Sequence, residues 1–344
     1  MSPIISKNPL VQKIAEGAAN DELLEYLVKK NLAFTEEEYL ESSVFALLRP
    51  KFHDQALSVL GQITLSVREN YVQKKEASPQ VAEFILQEAL QADHSSTLAL
   101  IIQNAHFPID FLMRIAAQGK AASLEVLLEN QVRLIAYPEI LEKIEQNPEC
   151  GPFVQGKIKE LRDFYFQSQV MDVIPEEDVL NDLAKIAVPE QDTDKELGLA
   201  VMQETAMTAL QRINRMTISQ RIRLALTGDK TERLILIKDS NRMVQLAVIE
   251  SPKMADDEVL IHTRNLSLSG EIIGKIANNR EWTKNYSIIM ALVQNPKTPI
   301  HRAISFIKQL HSRDLKLLIQ DRNVNPVIRN LATNLQKEKE RIKG

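Results

Sequence analysis

The sequence predicts an all-α protein, an α-solenoid of short helices in two helical-repeat halves. The first observation is an internal repeat: residues 98–109 read LALIIQNAHFPI and residues 289–300 read IMALVQNPKTPI. An apolar run, an Asn and a Pro that opens the next apolar run are typical of a tight turn between two helices. The second is composition, because 10 glycines and 5% aromatic residues are fewer than turns and cross-strand pairs of sheet proteins need.

Helix-start signals mark the N-terminal half. Asn20 or Asp21 can cap the apolar pattern DELLEYLVKKN, and Thr35 followed by Glu38 has the spacing of a capping box. Pro79 follows Ser78 at a first-turn position. A backbone N–H there has no acceptor within the helix, so the N–H that proline lacks costs no helical hydrogen bond. The apolar spacing then predicts helices at 79–92, 95–104, 108–118, 121–130, 138–146 and near 151–168.

An acidic segment separates the two halves. Residues 172–196 hold nine acidic residues, two basic residues and two prolines. This composition predicts a linker with one short helix at 177–187. We therefore expect an acidic helical-repeat domain at 1–170, an acidic linker at 171–200 and a basic helical-repeat domain at 201–344.

The C-terminal half has the clearer period. Polar turns follow apolar helices at 239–241 (DSN), 278–280 (NNR) and 321–323 (DRN), at spacings of 39 and 43 residues. The segment ESPK at 250–253 is matched by QNPK at 294–297. A period near 40 is in the range of HEAT and armadillo-like arrays. We expect these Asn and Asp residues to end helices in the left-handed conformation and to cap the next helix.

Two of these segments carry a family resemblance. VIESP at 248–252, with EVL at 258–260, and ALVQNP at 291–296, with Pro299, resemble the repeats of leucine-rich-repeat-variant and other HEAT-like bacterial α-helical repeat proteins. The likeness covers 230–335 and, more loosely, 95–150. It implies an α-solenoid with a binding role. Some variant-repeat proteins hold an iron–sulfur cluster in a cysteine-rich segment, but this chain has only Cys150, so no cofactor is expected.

The net charge of −4 hides an asymmetry between the halves. Residues 205–344 contain 24 Lys and Arg against 13 Asp and Glu, whereas residues 1–204 contain 18 against 33. Such polarity indicates a contact between the halves, or a basic half that meets an acidic partner, or simply solvated helical faces.

No motif predicts catalysis. Residues 270–275 (GEIIGK) are one residue short of a phosphate loop and lack its Ser or Thr, and the six histidines include no HExxH pattern. No G-x-S-x-G elbow occurs, and no run reaches ~18 apolar residues. We expect no catalytic residue, no metal site, no membrane span and a cytoplasmic location.

The leading hypothesis is therefore a non-enzymatic scaffold that binds another macromolecule, most simply a protein. The predicted partner-binding residues are Arg242, Arg280, Trp282, Lys284 and Arg322. The alternative is sequence-independent nucleic-acid binding through residues 205–344, with Trp282 stacking on a base.

The basic side chains offered for that alternative include Arg212, Arg221, Lys230 and Arg233. A HEAT-like DNA glycosylase, with Glu281 or Asp314 as its acid, is a weaker variant of the same alternative.

Overall fold

A computed structural model describes residues 6–165, 173–176, 179 and 193–343, without the side chains of 164–165, 193–203 and 340–343. Throughout these ranges the regular structure is helical and contains no strand, which confirms the all-α prediction. The chain forms two compact units, Met1–Ser168 and Gln169–Gly344. None of the helices in the described ranges is both long and apolar enough to cross a membrane.

The first unit is built from short helices in close succession. Their bounds are α1 Pro9–Ala15, α2 Asp21–Val28, α3 Glu36–Ala46, α4 His53–Gly61, α5 Leu65–Val72, α6 Pro79–Ala92, α7 Ser95–Gln103, α8 Ile109–Gln118, α9 Ala121–Glu129, α10 Gln131–Ala136, α11 Glu139–Glu145 and α12 Pro152–Tyr165, with a 3₁₀ turn at Pro50–Phe52. Helix α3 lies at the centre of the N-terminal part, packed on α1, α2, α4, α5 and α6. Its residues 39–46 are all buried.

The local start signals act as predicted. Asn20 accepts the Leu23 N–H at the start of α2, and Thr35 and Glu38 form a complete capping box at the start of α3. Pro79 opens α6 directly after Ser78. The sequence analysis predicted no helix at α1, α4, α5 or α10. The last predicted residues of the 151–168 helix, 166–168, lie outside the described residues.

The second unit continues with ten helices in the described ranges. They are α13 Thr193–Asn214, α14 Ile218–Thr227, α15 Lys230–Leu236, α16 Arg242–Ile249, α17 Asp256–Arg264, α18 Gly270–Asn278, α19 Tyr286–Gln294, α20 Ile300–Ile307, α21 Ser312–Gln320 and α22 Pro326–Lys343, with a 3₁₀ turn at Trp282–Lys284. Most of the predicted 177–187 helix lies outside the described residues. Residues 193–200 of the predicted linker belong to α13, and the predicted domain limits stay a prediction.

Packing in the second unit joins each helix to its neighbours along the chain. The most extensive contacts are between α21 and α22, between α14 and α16, and between α17 and α19. Helices α13 and α15, α16 and α18, and α20 and α22 also pack on each other. Val244 in α16 and Leu292 in α19, two helices with such contacts, are fully buried.

The repeated Gln-Asn turn has the same conformation in both units. Asn104 ends α7 at φ −77°, ψ 107°, and Asn295 ends α19 at φ −76°, ψ 117°. These are extended values, and Asn265, Asn279 and Asp321 share them. The expectation that the turn Asn and Asp residues of the second unit, such as Asn279, Asn295 and Asp321, end helices in the left-handed conformation is therefore wrong.

The physical reason is a local hydrogen bond. The side-chain oxygen of each of these residues accepts the backbone N–H two positions later, which needs an extended rather than a left-handed backbone at the Asn or Asp.

Candidate interaction surface

The turn asparagines bind neighbouring turns as well as their own. Asn295 Nδ2 donates to Thr263 O at 2.7 Å, and Asn147 Nδ2 donates to Ala116 O and Gly119 O at 2.9 Å each. These carbonyls lie at or just beyond the end of a helix, where the helix supplies no N–H. The recurring Asn therefore ties each turn to one about 30 residues earlier.

The Ser-Pro-Lys segment at 251–253 and the Asn-Pro-Lys segment at 295–297 both donate hydrogen bonds to an earlier turn. Ser251 Oγ donates to Leu226 O at 3.2 Å, and Lys253 Nζ donates to Thr227 O. Lys297 Nζ donates to Leu268 O at 2.7 Å. Thr227 is the last residue of α14, so Lys253 lies at a helix C-terminus, where the helix dipole favours a cation. Lys297 instead binds the turn between α17 and α18.

We assign the turns of the second unit to two alternating sets, on the reasoning that each short turn between helices reverses the chain direction. The first edge is defined as the turns 237–241, 265–269, 295–299 and 321–325, and the second edge as the turns 228–229, 250–255, 279–285 and 308–311. The bonds from Ser251 to Leu226 and from Asn295 to Thr263 each join turns of one set. On the first edge Arg242 pairs with Glu271. On the second, Asn285 donates to Asp256, and the Tyr286 ring stacks on His311 with centroids 4.8 Å apart.

Two arginines predicted for nucleic-acid binding are buried instead. Arg221 Nη1 donates to Asp239 Oδ2 at 2.8 Å, and both side chains are 2% exposed. Arg233 binds Glu258 through Nε at 2.9 Å and Nη2 at 2.7 Å, and its Nη1 donates to the Gly228 carbonyl. Paired charges at this depth support packing between helices, so neither arginine can contact a ligand at the surface.

The other carboxylates of the basic half are also largely engaged. Ion pairs join Arg212 to Glu232, Lys230 to Asp257, Arg242 to Glu271, Lys275 to Glu250 and Lys284 to Glu281. Because few carboxylates are left over, the surplus positive charge resides on exposed cations. Across the described part of this unit, no ion pair involves Arg215, Arg264, Arg280, Lys308, Arg313 or Arg322.

The five predicted binding residues are not brought together. Arg242 and Arg322 lie on the first edge, whereas Arg280, Trp282 and Lys284 lie on the second, before α19. Arg242 binds Glu271 near the start of α18, and Arg280 follows the end of α18, a helix of nine residues that spans about 13 Å. Trp282 is half-buried, and Lys284 is paired with Glu281.

The first edge combines exposed cations with exposed apolar side chains. Leu266 is 50% exposed, Ile300 is 41% exposed and Val327 is 55% exposed, each in or just after a first-edge turn. Arg264 and Arg322 are exposed at the ends of α17 and α21. We call these five residues the basic-apolar edge.

The sequence analysis missed four of the five. Arg264 is the last residue of α17, Leu266 lies in the turn that follows, and Ile300 and Val327 are the first residue of α20 and the second residue of α22. The sequence does carry a signal for Leu266, Ile300 and Val327. They are apolar residues at positions where the turn pattern needs only polar or capping residues.

The chemical groups considered for catalysis do not form a site. Glu281 is exposed and bonded to Lys284, and Asp314 accepts the Tyr286 hydroxyl. Residues 270–275 lie in α18 rather than in a phosphate loop. Nowhere in the described ranges do three or more His, Cys, Asp or Glu side chains gather as metal ligands would.

The first unit contains one buried acid, Glu41, at the centre of α3. The Tyr71 hydroxyl donates to Glu41 Oε1 at 2.9 Å and itself accepts the Ser78 N–H. Burial raises the pKa of Glu41 above that of a free glutamate. Burial likewise raises the pKa of Tyr71, and the adjacent carboxylate adds to the effect. Because Glu41 is 3% exposed and Tyr71 is fully buried, we assign the pair to packing between α3 and α5.

Comparison of the chain with protein families, with curated proteins and with solved structures finds no match to any of them.

Proposed function

We propose that this chain is a non-enzymatic α-solenoid of the HEAT-like, leucine-rich-repeat-variant type that acts as a scaffold for a protein partner. Three features support the architecture. Helices pack mainly on neighbours one to three positions away, the turns recur with one conformation, and turn side chains bond to the turn one repeat earlier. Solenoids of this kind present extended surfaces that bind other macromolecules.

The basic-apolar edge is the observation that carries the proposal. The turn side chains Asn295 and Lys297 bind within the fold. The cations Arg264 and Arg322 and the apolar side chains Leu266, Ile300 and Val327 stay exposed and are available to a partner. A protein segment with acidic and apolar side chains complements both kinds of group. A phosphate backbone complements only the cations, which is why we favour a protein over a nucleic acid.

A charge-reversal pair tests this assignment. The full-length Arg264→Glu/Arg322→Glu variant removes the cations of the first edge, and Arg280→Glu/Lys308→Glu makes the same charge change at the second edge. We expect proteins retained by the wild type from a nuclease-treated lysate to be lost by the first variant and kept by the second. Circular dichroism establishes that both variants keep their helicity.

Two outcomes would contradict the proposal. Equal loss with both variants would mean that net charge alone, and not the first edge, holds the partner. Capture that disappears on nuclease treatment, and that falls steeply with added salt, would instead establish the nucleic-acid alternative through residues 205–344.

A further inference from the structure

A short segment before α13 is fixed at the first edge of the second unit. Asn214, the last residue of α13, accepts the Ile174 N–H at 3.0 Å and donates to the Ile174 carbonyl at 3.3 Å through its side-chain amide. These two bonds hold residues 173–176 beside the turn 215–217. The alternation of turns places 215–217 on the first edge, one turn before 237–241.

This segment presents one apolar and one acidic side chain. Val173 is 68% exposed, and Glu176 is also exposed. Residues 172–178 include four acidic residues in the sequence, against one exposed cation, Arg215, in the adjoining turn. The start of the first edge therefore has the acidic and apolar character that complements the basic-apolar edge.

The five turns of the first edge follow one another in space in chain order. Arg221 joins the first turn to the second, since it donates to the Ile213 carbonyl at 3.2 Å and to Asp239. The later turns are joined by the pair of Arg242 with Glu271, by the bond from Lys297 to Leu268, and by the packing of α20 on α22. The acidic segment 173–176 therefore lies at the opposite end of the edge from the turn 321–325.

We propose that the protein bound by the basic-apolar edge is a second copy of this chain, and that two copies pair along their first edges in opposite directions. This dimer rests on the proposed function, since it names the partner of the surface assigned there. Opposite directions set the first turn of each copy against the fifth turn of the other, so Val173 packs against Val327 and Glu176 pairs with Arg322. The same contact occurs twice, as a two-fold dimer requires. Within one copy Glu176 cannot reach Arg322, because Asn214 holds the acidic segment at the first turn.

The two-fold axis of this dimer passes through the third turn, 265–269. Leu266, which is 50% exposed, then packs against Leu266 of the second copy. The rotation also sets the end of α17 in one copy over the start of α18 in the other. Arg264 therefore faces the partly exposed Glu271 of the second copy rather than another arginine.

Engineered cysteines test this register on the full-length protein, with Cys150→Ser as the background. Leu266→Cys should form a disulfide between copies under mild oxidation, because the axis brings the two side chains together. Gln309→Cys, at an exposed position on the second edge, is the matched control and should form none. Val173→Cys and Val327→Cys should each give no cross-link alone and should cross-link when the two proteins are mixed.

Analytical ultracentrifugation measures the strength of the pairing. The wild type should sediment as a dimer at low salt, and Arg322→Glu should raise the dimer dissociation constant at least about tenfold because it places like charges together. Glu176→Arg should weaken the dimer as much, and the Glu176→Arg/Arg322→Glu double variant should restore it because the charges are exchanged. Both side chains are exposed, so circular dichroism should show unchanged helicity.

Three results would overturn this dimer: a monomeric wild type, a Leu266→Cys variant that cross-links no better than Gln309→Cys, or a double variant that pairs no more tightly than the single variants. A monomeric wild type whose first edge still retains proteins from a lysate would overturn the dimer alone and leave the proposed function standing. A dimer weakened equally by Arg264→Glu/Arg322→Glu and by Arg280→Glu/Lys308→Glu would contradict both.

Discussion

The Asn295→Asp substitution tests how much the hydrogen bond from Asn295 Nδ2 to the Thr263 carbonyl stabilises the fold. The carboxylate keeps the oxygen that accepts the Lys297 N–H at 2.9 Å but loses the Nδ2 donor to Thr263 O. Thr263 is fully buried and its carbonyl lies in the last turn of α17, so the helix supplies no replacement donor. Leaving that acceptor unpaired costs about 1–3 kcal/mol, and burying a carboxylate against it adds about 1 kcal/mol or more. We expect a total loss of about 2–4 kcal/mol in the free energy of unfolding.

The matched control is Asn279→Asp. Asn279 has nearly the same backbone angles and accepts the Glu281 N–H at 3.0 Å, but its Nδ2 binds no acceptor in the described ranges. Asp321 occupies an equivalent position naturally. We therefore expect a change within about 0.5 kcal/mol for the control.

Urea unfolding followed by tryptophan fluorescence measures the difference, because Trp282 is the only tryptophan and reports on the second unit. Burial raises the pKa of the new carboxyl at position 295 in the folded state, so the folded protein keeps that proton to higher pH than the unfolded chain. The loss should therefore shrink below about pH 4, where the acid is protonated in both states and can donate. Equal losses for the two variants would refute the role assigned to the bond between turns.

Three further predictions concern buried charge and the single thiol. Because burial raises the pKa of Glu41, the folded protein holds this proton to higher pH than the unfolded chain does, and the free energy of unfolding falls as pH rises through that range. Between about pH 4 and pH 8, urea unfolding should therefore show Glu41→Gln becoming more stable than the wild type, by about 1.4 kcal/mol for each pH unit by which the pKa is raised. Glu258→Ala leaves Arg233 buried without its partner and should cost about 3–5 kcal/mol by tryptophan-detected unfolding; a loss below about 1 kcal/mol would mean that water reaches the pair. Burial, with Glu145 adding to it, raises the pKa of the Cys150 thiol, so iodoacetamide should alkylate the folded protein more slowly than free cysteine near pH 8, and an equal rate would contradict this placement.

Local signals in the sequence were enough to locate most helices and turns. Thr35 with Glu38 and Pro79 after Ser78 are contacts between residues close in sequence, so the pattern and the structure agree. Helix α10 was missed because its six residues, all but one of them buried, show no periodic polar face. The backbone of Asn279 and Asn295 was predicted wrongly because Asn is compatible with both conformations, and the bond to the N–H two positions later favours the extended one.

The candidate surface was harder to predict for a different reason. Arg221, in the first turn of α14, and Arg264, the last residue of α17, carry no local sequence signal that tells a buried arginine from an exposed one. One is buried because Asp239, 18 residues away, meets it across the fold, and the other is exposed because no carboxylate does so in the described ranges. Which carboxylate meets an arginine this far away in sequence depends on how the helices pack. Composition and repeat period do not determine that packing.

Photo-crosslinking tests the central claim most directly. A benzophenone amino acid placed at Leu266 in the full-length protein reports on the basic-apolar edge, and the same group at the exposed Gln309 reports on the second edge. We predict protein adducts at position 266 that disappear when Arg264→Glu and Arg322→Glu are added, with none at 309. Adducts at 309 alone, or adducts at 266 that survive both charge reversals, would contradict the assignment of this edge as the binding surface.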